Sequence, residues 1–305
     1  MEEDTVIRVK SLSKGYKSKT VLTDLSFSIK KGDFYGILGK NGAGKTTLIE
    51  CLYGALKPDK GKISVLGMSP FPRNRKLLAE IGIQEQRGAF IYRATAREHL
   101  ETLARIYNCD LKRVDMLINR MGLKDVQDQR ARLLSGGQQQ KIALAAAVLN
   151  HPKILFLDEP TAALDVEARI DFLQQLRSLQ EENTTIVYTT HYLEEAQNLC
   201  NMVNIIQNGS TVFEGTPKEL IEITRSQTVL SLPYRETDFA FITKCKSVET
   251  VSRQNGFALI YTVNEGATLQ ELASYGVDLT GLVSHPAELQ DAFVKISNSK
   301  SGENL

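Results

Sequence analysis

The sequence predicts an α/β core followed by a small α+β unit, and three observations carry that expectation. Apolar runs at 34–38 (FYGIL), 154–158 (ILFLD) and 185–189 (TIVYT) have the unbroken hydrophobicity of strands buried on both faces of a parallel sheet. The first two are followed by segments whose apolar residues recur at three and four positions, as in helices packed on such a sheet. Polar and charged residues gather at the carboxyl ends of these runs, where open α/β sheets hold ligands.

The bulk numbers agree with two domains. A chain of 305 residues with 42% hydrophobic residues can bury more than one core, and the expected division is 1–224 and 225–305. With Lys+Arg 37 against Asp+Glu 36 the formal net charge is +1, so no global field attracts nucleic acid, and none is expected as a partner. The start, MEEDTVIRVK, is acidic where a secretory signal needs basic residues, and the longest apolar stretch, 142–149, falls short of a membrane span of roughly 20 residues. Membrane work would need a separate chain. Four cysteines without paired CxxC spacing fit free thiols in a reducing, cytoplasmic compartment.

Taken in order, 6–9 alternates like an edge strand and 21–29 gives a second strand, with Tyr16 between them as an ordinary strand-end aromatic. The run 34–38 leads into GKNGAGKTTL, 39–48, which fits the phosphate-loop pattern GxxxxGK[ST]. Gly39, Gly42 and Gly44 lack a Cβ, so together with Lys40, Asn41 and Ala43 their backbone can cradle a polyphosphate with successive N–H groups. Lys45 is placed for the β- and γ-phosphates of ATP, the Thr46 hydroxyl for Mg²⁺, and Thr47 continues into a helix whose positive end faces the nucleotide. Short strands follow at 63–66 and 81–83, separated by a loop with Pro70 and Pro72. Helices at 96–107 and 111–121, the latter stopped by Gly122, look like an insertion of about 87–150 between halves of the core.

Ser135-Gly136-Gly137-Gln138 then opens an Ala-rich helix, 139–149. This is either a second anion site of oriented amides or simply a helix cap. At the end of the run 154–158, Asp158 can hold Mg²⁺ through water and Glu159 can take a proton from water attacking the γ-phosphate. Asp165 begins a helix reaching about 179 and could serve only as its cap. His191 follows 185–189 at the sheet edge that bears Asp158 and Glu159 if the strands are parallel. A closing hairpin is expected at 202–207 and 211–213 through Asn208-Gly209.

With these motifs in place, the first two-thirds of the chain resembles the ATP-binding subunit of an ABC transporter: a P-loop NTPase cassette with a mixed sheet and a helical subdomain. GKNGAGKTT matches its Walker A motif, LSGGQ its signature, ILFLDEP its Walker B motif with the following Glu, AALD its D-loop, and His191 its switch histidine. The resemblance implies that Gln86 is the Q-loop glutamine near Mg²⁺ and that Tyr16 stacks on adenine. It implies that Ser135–Gln138 closes over the ATP of a second cassette, identical or not, and that Glu159, Lys45 and His191 act in hydrolysis. It also implies polytopic permease subunits, a peripheral place at the cytoplasmic face of a membrane, and a partner groove around 87–93. Departures from the pattern are Lys141 and Ala146 where many members carry Arg, and Glu85 where many carry Pro.

Beyond a short helix opened at 216–220, strands at 229–232, 248–251 and 257–261 with helices at 269–275 and 286–296 give the small α+β unit, and 297–305 is polar. That unit is similar to the C-terminal extension of ABC-2 type exporter ATPases, which points toward export. A soluble ABC ATPase acting on ribosomes is the alternative, although those usually carry two cassettes and this chain has a single LSGGQ.

Overall fold

The structure is a computed structural model that describes residues 4–17, 19–86, 90–91, 93–223 and 228–299. It divides into two compact units, Met1–Gly215 and Thr216–Leu305. In chain order the first contains β1 (Thr5–Tyr16), β2 (Lys19–Lys30), β3 (Phe34–Leu38), α1 (Lys45–Tyr53), β4 (Lys60–Val65), α2 (Arg75–Glu80), β5 (Ile81–Gln84), α3 (Ala96–Tyr107), α4 (Leu111–Arg120), α5 (Gly136–Ala147), β6 (Ile154–Asp158), α6 (Val166–Glu181), β7 (Thr185–Thr190), α7 (Leu193–Leu199), β8 (Met202–Gln207) and β9 (Ser210–Gly215).

A six-stranded sheet in the order β5-β6-β7-β3-β8-β9 forms its centre, parallel except for β9, which returns antiparallel on β8. The return turns through Asn208 and Gly209, both at positive φ (50° and 78°), as a tight hairpin requires. Every residue of β3, β6 and β7 is buried, which explains their unbroken apolar sequences. Their registers set Asp158 beside Thr189, and Leu38 beside Thr190, so the loops leaving all three strands share one sheet edge.

A second sheet, β2-β1-β4, is wholly antiparallel. Here the expected edge strand near 6–9 is instead the central one. Its alternation arises because Ile7, Val9 and Leu12 face a core shared with Leu48 and Leu52 of α1, while the other face is more open. Tyr16 is the last residue of β1, the strand-end place expected of it.

The inserted helices have local reasons for their limits. Thr95 and Glu98 form a reciprocal capping box on α3, Asp110 caps α4, and Gly122 takes positive φ just beyond α4. Helix α5 begins at Gly136, earlier than the expected 139, because the Ser135 hydroxyl accepts from Gln138 N and fixes the first turn on the two glycines. Helix α2, capped by Asn74, lay hidden in the Pro-containing loop.

Strand β5 and α5 approach closely at Gly82, where a Cβ would stand 2.1 Å from the Ala147 carbonyl oxygen. Gly82→Ala is therefore expected to lower stability by about 1–3 kcal/mol through overpacking. Urea denaturation checks it; an unchanged midpoint would mean that α5 steps back freely.

The second unit contains α8 (Pro217–Ile223), β10 (Thr228–Pro233), α9 (Glu236–Ile242), β11 (Val248–Gln254), β12 (Phe257–Thr262), α10 (Glu265–Ser274), β13 (Val283–Pro286) and α11 (Leu289–Ser299). Its antiparallel sheet, β11-β12-β10-β13, buries Leu230, Leu232, Ala258 and Ile260 with Leu272 of α10. The junction falls at 215/216 rather than the expected 224/225, since α8 packs on α11. Pro286 ends β13 instead of opening the last helix. Residues 224–227 and 300–305, including most of the polar tail, lie outside the described residues.

All four cysteines are unpaired. Among the described residues no helix is long and apolar enough to cross a membrane.

Candidate functional site

The loop between β3 and α1 is shaped by its glycines. Gly42 and Gly44 adopt φ of 81° and 104°, and a Cβ on Gly39 would lie 2.5 Å from the Ile206 carbonyl oxygen. Gly44 caps α1 without a side-chain acceptor, so the first-turn amides are left for a ligand. Lys45 is only 4% exposed, and its ammonium donates to the carbonyls of Gly39 (2.8 Å) and Lys40 (3.3 Å). Lys40, Asn41, Gly42 and Thr46 are exposed, Thr47 is half-buried, and Ala43 packs beneath the loop. Orphan amides, one ammonium and two hydroxyls form a donor set that fits a polyphosphate.

The carboxylates meet this loop at the end of β6. Thr189 Oγ1 donates to Asp158 Oδ1 at 2.6 Å and accepts from Glu159 N at 2.9 Å, so one hydroxyl of β7 orients both acidic residues. Glu159 sits at φ 44°, a left-handed conformation uncommon for a residue with a side chain. Its Oε1 lies 2.9 Å from Lys45 Nζ and its Oε2 3.3 Å from His191 Nδ1. Lys45 of the loop, Glu159 at the end of β6 and His191 beyond β7 thus form one contiguous row.

Beside that row is a cavity of about 160 Å³ lined by Thr46, Glu50, Gln86 and Asp158 among others. Thr46 and Glu50 are one helical turn apart and face it together. Burial, then the charges of Asp158 and Glu85, raise the pKa of Glu50 above its ordinary value. Hydroxyl, carboxylate and amide oxygens crowded in this way suit a hard divalent cation, which relieves their mutual repulsion.

Other expected site residues stand apart. Tyr16, 46% exposed, presents its ring at the end of β1 with Lys14 Nζ 5.7 Å from the centroid. Ser135 and Gln138 bond each other in a capping box, and a Cβ on Gly137 would stand 3.0 Å from that of Ala168 on α6, with Gly136 nearest Ala163. Among the described residues, none of the signature's hydrogen bonds reaches 39–47. Asp165 caps α6 by accepting from Ala168 N at 2.8 Å. Of the departures, Lys141 pairs with Asp171, and Glu85 accepts from Tyr53 OH at 3.2 Å. Glu85 and Ala146 line a larger groove of about 610 Å³ with Tyr53, Phe90, Leu103 and Tyr107. Residues 87–89 and 92 of the expected partner surface lie outside the described residues.

Sequence reasoning passed over Thr189 and Glu50. Glu50 had a legible signal, its one-turn spacing from Thr46; Thr189 had none, since its role depends on the register of β7 against β6.

Comparison with known proteins matches residues 22–162 to the ABC transporter family. The Nod factor export ATP-binding protein I of Neorhizobium galegae is 33% identical over 287 residues, covering 92% of this chain and 82% of that protein. The linearmycin resistance ATP-binding protein LnrL of Bacillus subtilis is 28% identical over 305 residues, covering 96% of this chain and 98% of that protein. Among solved structures, a dimeric ATP-binding cassette in a post-hydrolysis state with ADP and Pi gives a TM-score of 0.63 at 27% identity, covering 69% of this chain and 98% of that one. With its phosphate loop, paired carboxylates and signature on the matching fold, the chain belongs to the ABC transporter family, as the ATP-hydrolysing, ATP-binding subunit.

Proposed function

We propose that this chain hydrolyses ATP at a site completed by a second cassette and drives export through separate membrane-spanning subunits. The observation that most directly supports the hydrolytic reading is Glu159 held between Lys45 (2.9 Å) and His191 (3.3 Å), beside the cavity of Thr46, Asp158 and Gln86.

In this reading the amides of 39–47 and the Lys45 ammonium bind the β- and γ-phosphates of ATP. Once Lys45 turns to phosphate, Glu159 loses its cationic partner and its carboxylate is free to accept a proton from water. His191 orients Glu159 and the γ-phosphate from the other side. Thr46, Asp158 and Gln86 would hold Mg²⁺, which when bound neutralises charge growing on the phosphoryl oxygens. Among the described residues no group of three or more His, Cys, Asp or Glu forms a cage, and Mg²⁺ bound with phosphates needs only one or two carboxylates. That the hydrogen bonds of Ser135 and Gln138 run to each other and not to the loop, among the described residues, supports a pair of chains in which each signature covers the other's nucleotide, with Asp165 at the seam.

Export is supported by the name of the Neorhizobium relative, and attachment to a membrane by the need for permease subunits, for which the groove beside Glu85 offers a docking place. The chain would then sit peripherally at the cytoplasmic face. Affinity purification tests this: a polytopic membrane protein should co-isolate, and co-isolation of ribosomes instead would overturn it.

Tyr16 supplies a narrower test. Stacking of a base on an aromatic contributes about 1–3 kcal/mol, so Tyr16→Ala should weaken ATP binding about tenfold or more in equilibrium titration. Unchanged affinity would remove Tyr16 from the site.

A further inference from the structure

A buried carboxylate lies behind the hydrolytic row. Glu195, on α7, is 4% exposed and accepts from three hydroxyls: Thr161 Oγ1 at 2.8 Å, Tyr188 OH at 2.5 Å and Thr190 Oγ1 at 2.8 Å. Arg169 of α6 reaches it as an ion pair at 3.7 Å. Thr161 lies in the turn that follows Glu159, and Thr190 directly precedes His191. One carboxylate therefore ties together the two chain positions that carry the reacting pair.

The network also has a direction. A carboxylate only accepts, so each hydroxyl points its hydrogen at Glu195. Burial, then the charge of Glu195, hold the Tyr188 hydroxyl well above its ordinary pKa, so it stays a donor. Thr190 Oγ1 turns a lone pair outward and accepts from Tyr192 N at 2.9 Å. The Tyr192 ring has two close neighbours: its centroid is 4.1 Å from that of His191 and 4.1 Å from the Arg169 guanidinium carbon. The aromatic that touches the His191 ring thus also touches a cation on the helix that Asp165 caps.

We propose that Glu195, acting through Thr161, Thr190 and the Arg169–Tyr192 stack, is the positioning residue that sets the Glu159–His191 separation. A merely structural carboxylate would protect the fold without touching turnover. A positioning carboxylate affects the chemical step and leaves nucleotide affinity alone. The proposal rests on the roles given above to Glu159 and His191, and those are tested separately by phosphate release from the unaltered chain and its loss in Glu159→Gln.

The experiment is steady-state ATPase kinetics of the full-length chain with Mg²⁺. Glu195→Gln keeps the shape but sets an NH₂ group against a hydroxyl donor, so the direction of the network is lost. We expect kcat to fall about tenfold with KM for ATP within about twofold, the size of one mispaired buried hydrogen bond. Thr190→Val should show the same split and Thr190→Ser should restore turnover, a comparison that decides the matter if Glu195→Gln fails to fold. Unchanged kcat in Glu195→Gln alongside a lowered melting temperature, or equal kcat in Thr190→Val and Thr190→Ser, would overturn the proposal.

Discussion

Glu159→Gln should bind ATP and hydrolyse almost none. The amide replaces the carboxylate with little change of shape, but it cannot take a proton from water, and general-base assistance contributes about 10²–10⁴-fold in rate. It also removes the anionic partner of Lys45 at 2.9 Å, so the ammonium, still bonded to the Gly39 and Lys40 carbonyls, no longer has a carboxylate competing with phosphate. ATP affinity should therefore hold or rise while phosphate release falls by about 10²-fold or more. With discharge blocked, the ATP-bound pair of chains should accumulate, visible as a shift to twice the monomer mass by light scattering. Near-normal turnover would show that the base lies elsewhere.

Lys45→Ala should fail one step earlier. The ammonium is buried at 4% exposure and anchored on the Gly39 and Lys40 carbonyls, so its aim is fixed by the loop and cannot be replaced from the surface. A charge-assisted hydrogen bond contributes about 1.5–3 kcal/mol, which corresponds to a loss of about 10- to 100-fold in ATP affinity. Its removal also leaves Glu159 without the cation beside it, an unfavourable neighbour for incoming phosphate. Titration with ATP checks the affinity, and no ATP-induced dimer should form. Affinity equal to the unaltered chain would mean that the loop amides alone bind the nucleotide.

How much of this could be read from the sequence depended on the range of the interaction. The loop 39–47 is a contiguous string whose backbone demands are local, and the buried runs of β3, β6 and β7 are unmistakable because each is covered on both faces. Thr189, Thr190 and Glu195 were illegible because their partners are set by register and by a helix packed across the strands. Tyr16 could be assigned only through resemblance, since a strand-end aromatic has no spacing that marks a ligand. Short elements escaped for a simpler reason. The strand Val283–Pro286 and the helices Arg75–Glu80 and Glu236–Ile242 are too brief to show a period, and Pro286 looked like a helix start although an edge strand tolerates proline.

Trans-complementation tests the shared site most directly. Ser135→Arg should be inactive because its signature cannot close over a partner's ATP, and Lys45→Ala because its own loop cannot hold one. Mixed in equal amounts, the two chains form some pairs with one intact site, made from the loop of the Ser135→Arg chain and the signature of the Lys45→Ala chain. Phosphate release should return in the mixture to a measurable fraction of the unaltered rate. A mixture as silent as its components would contradict a nucleotide site built from two copies of this cassette.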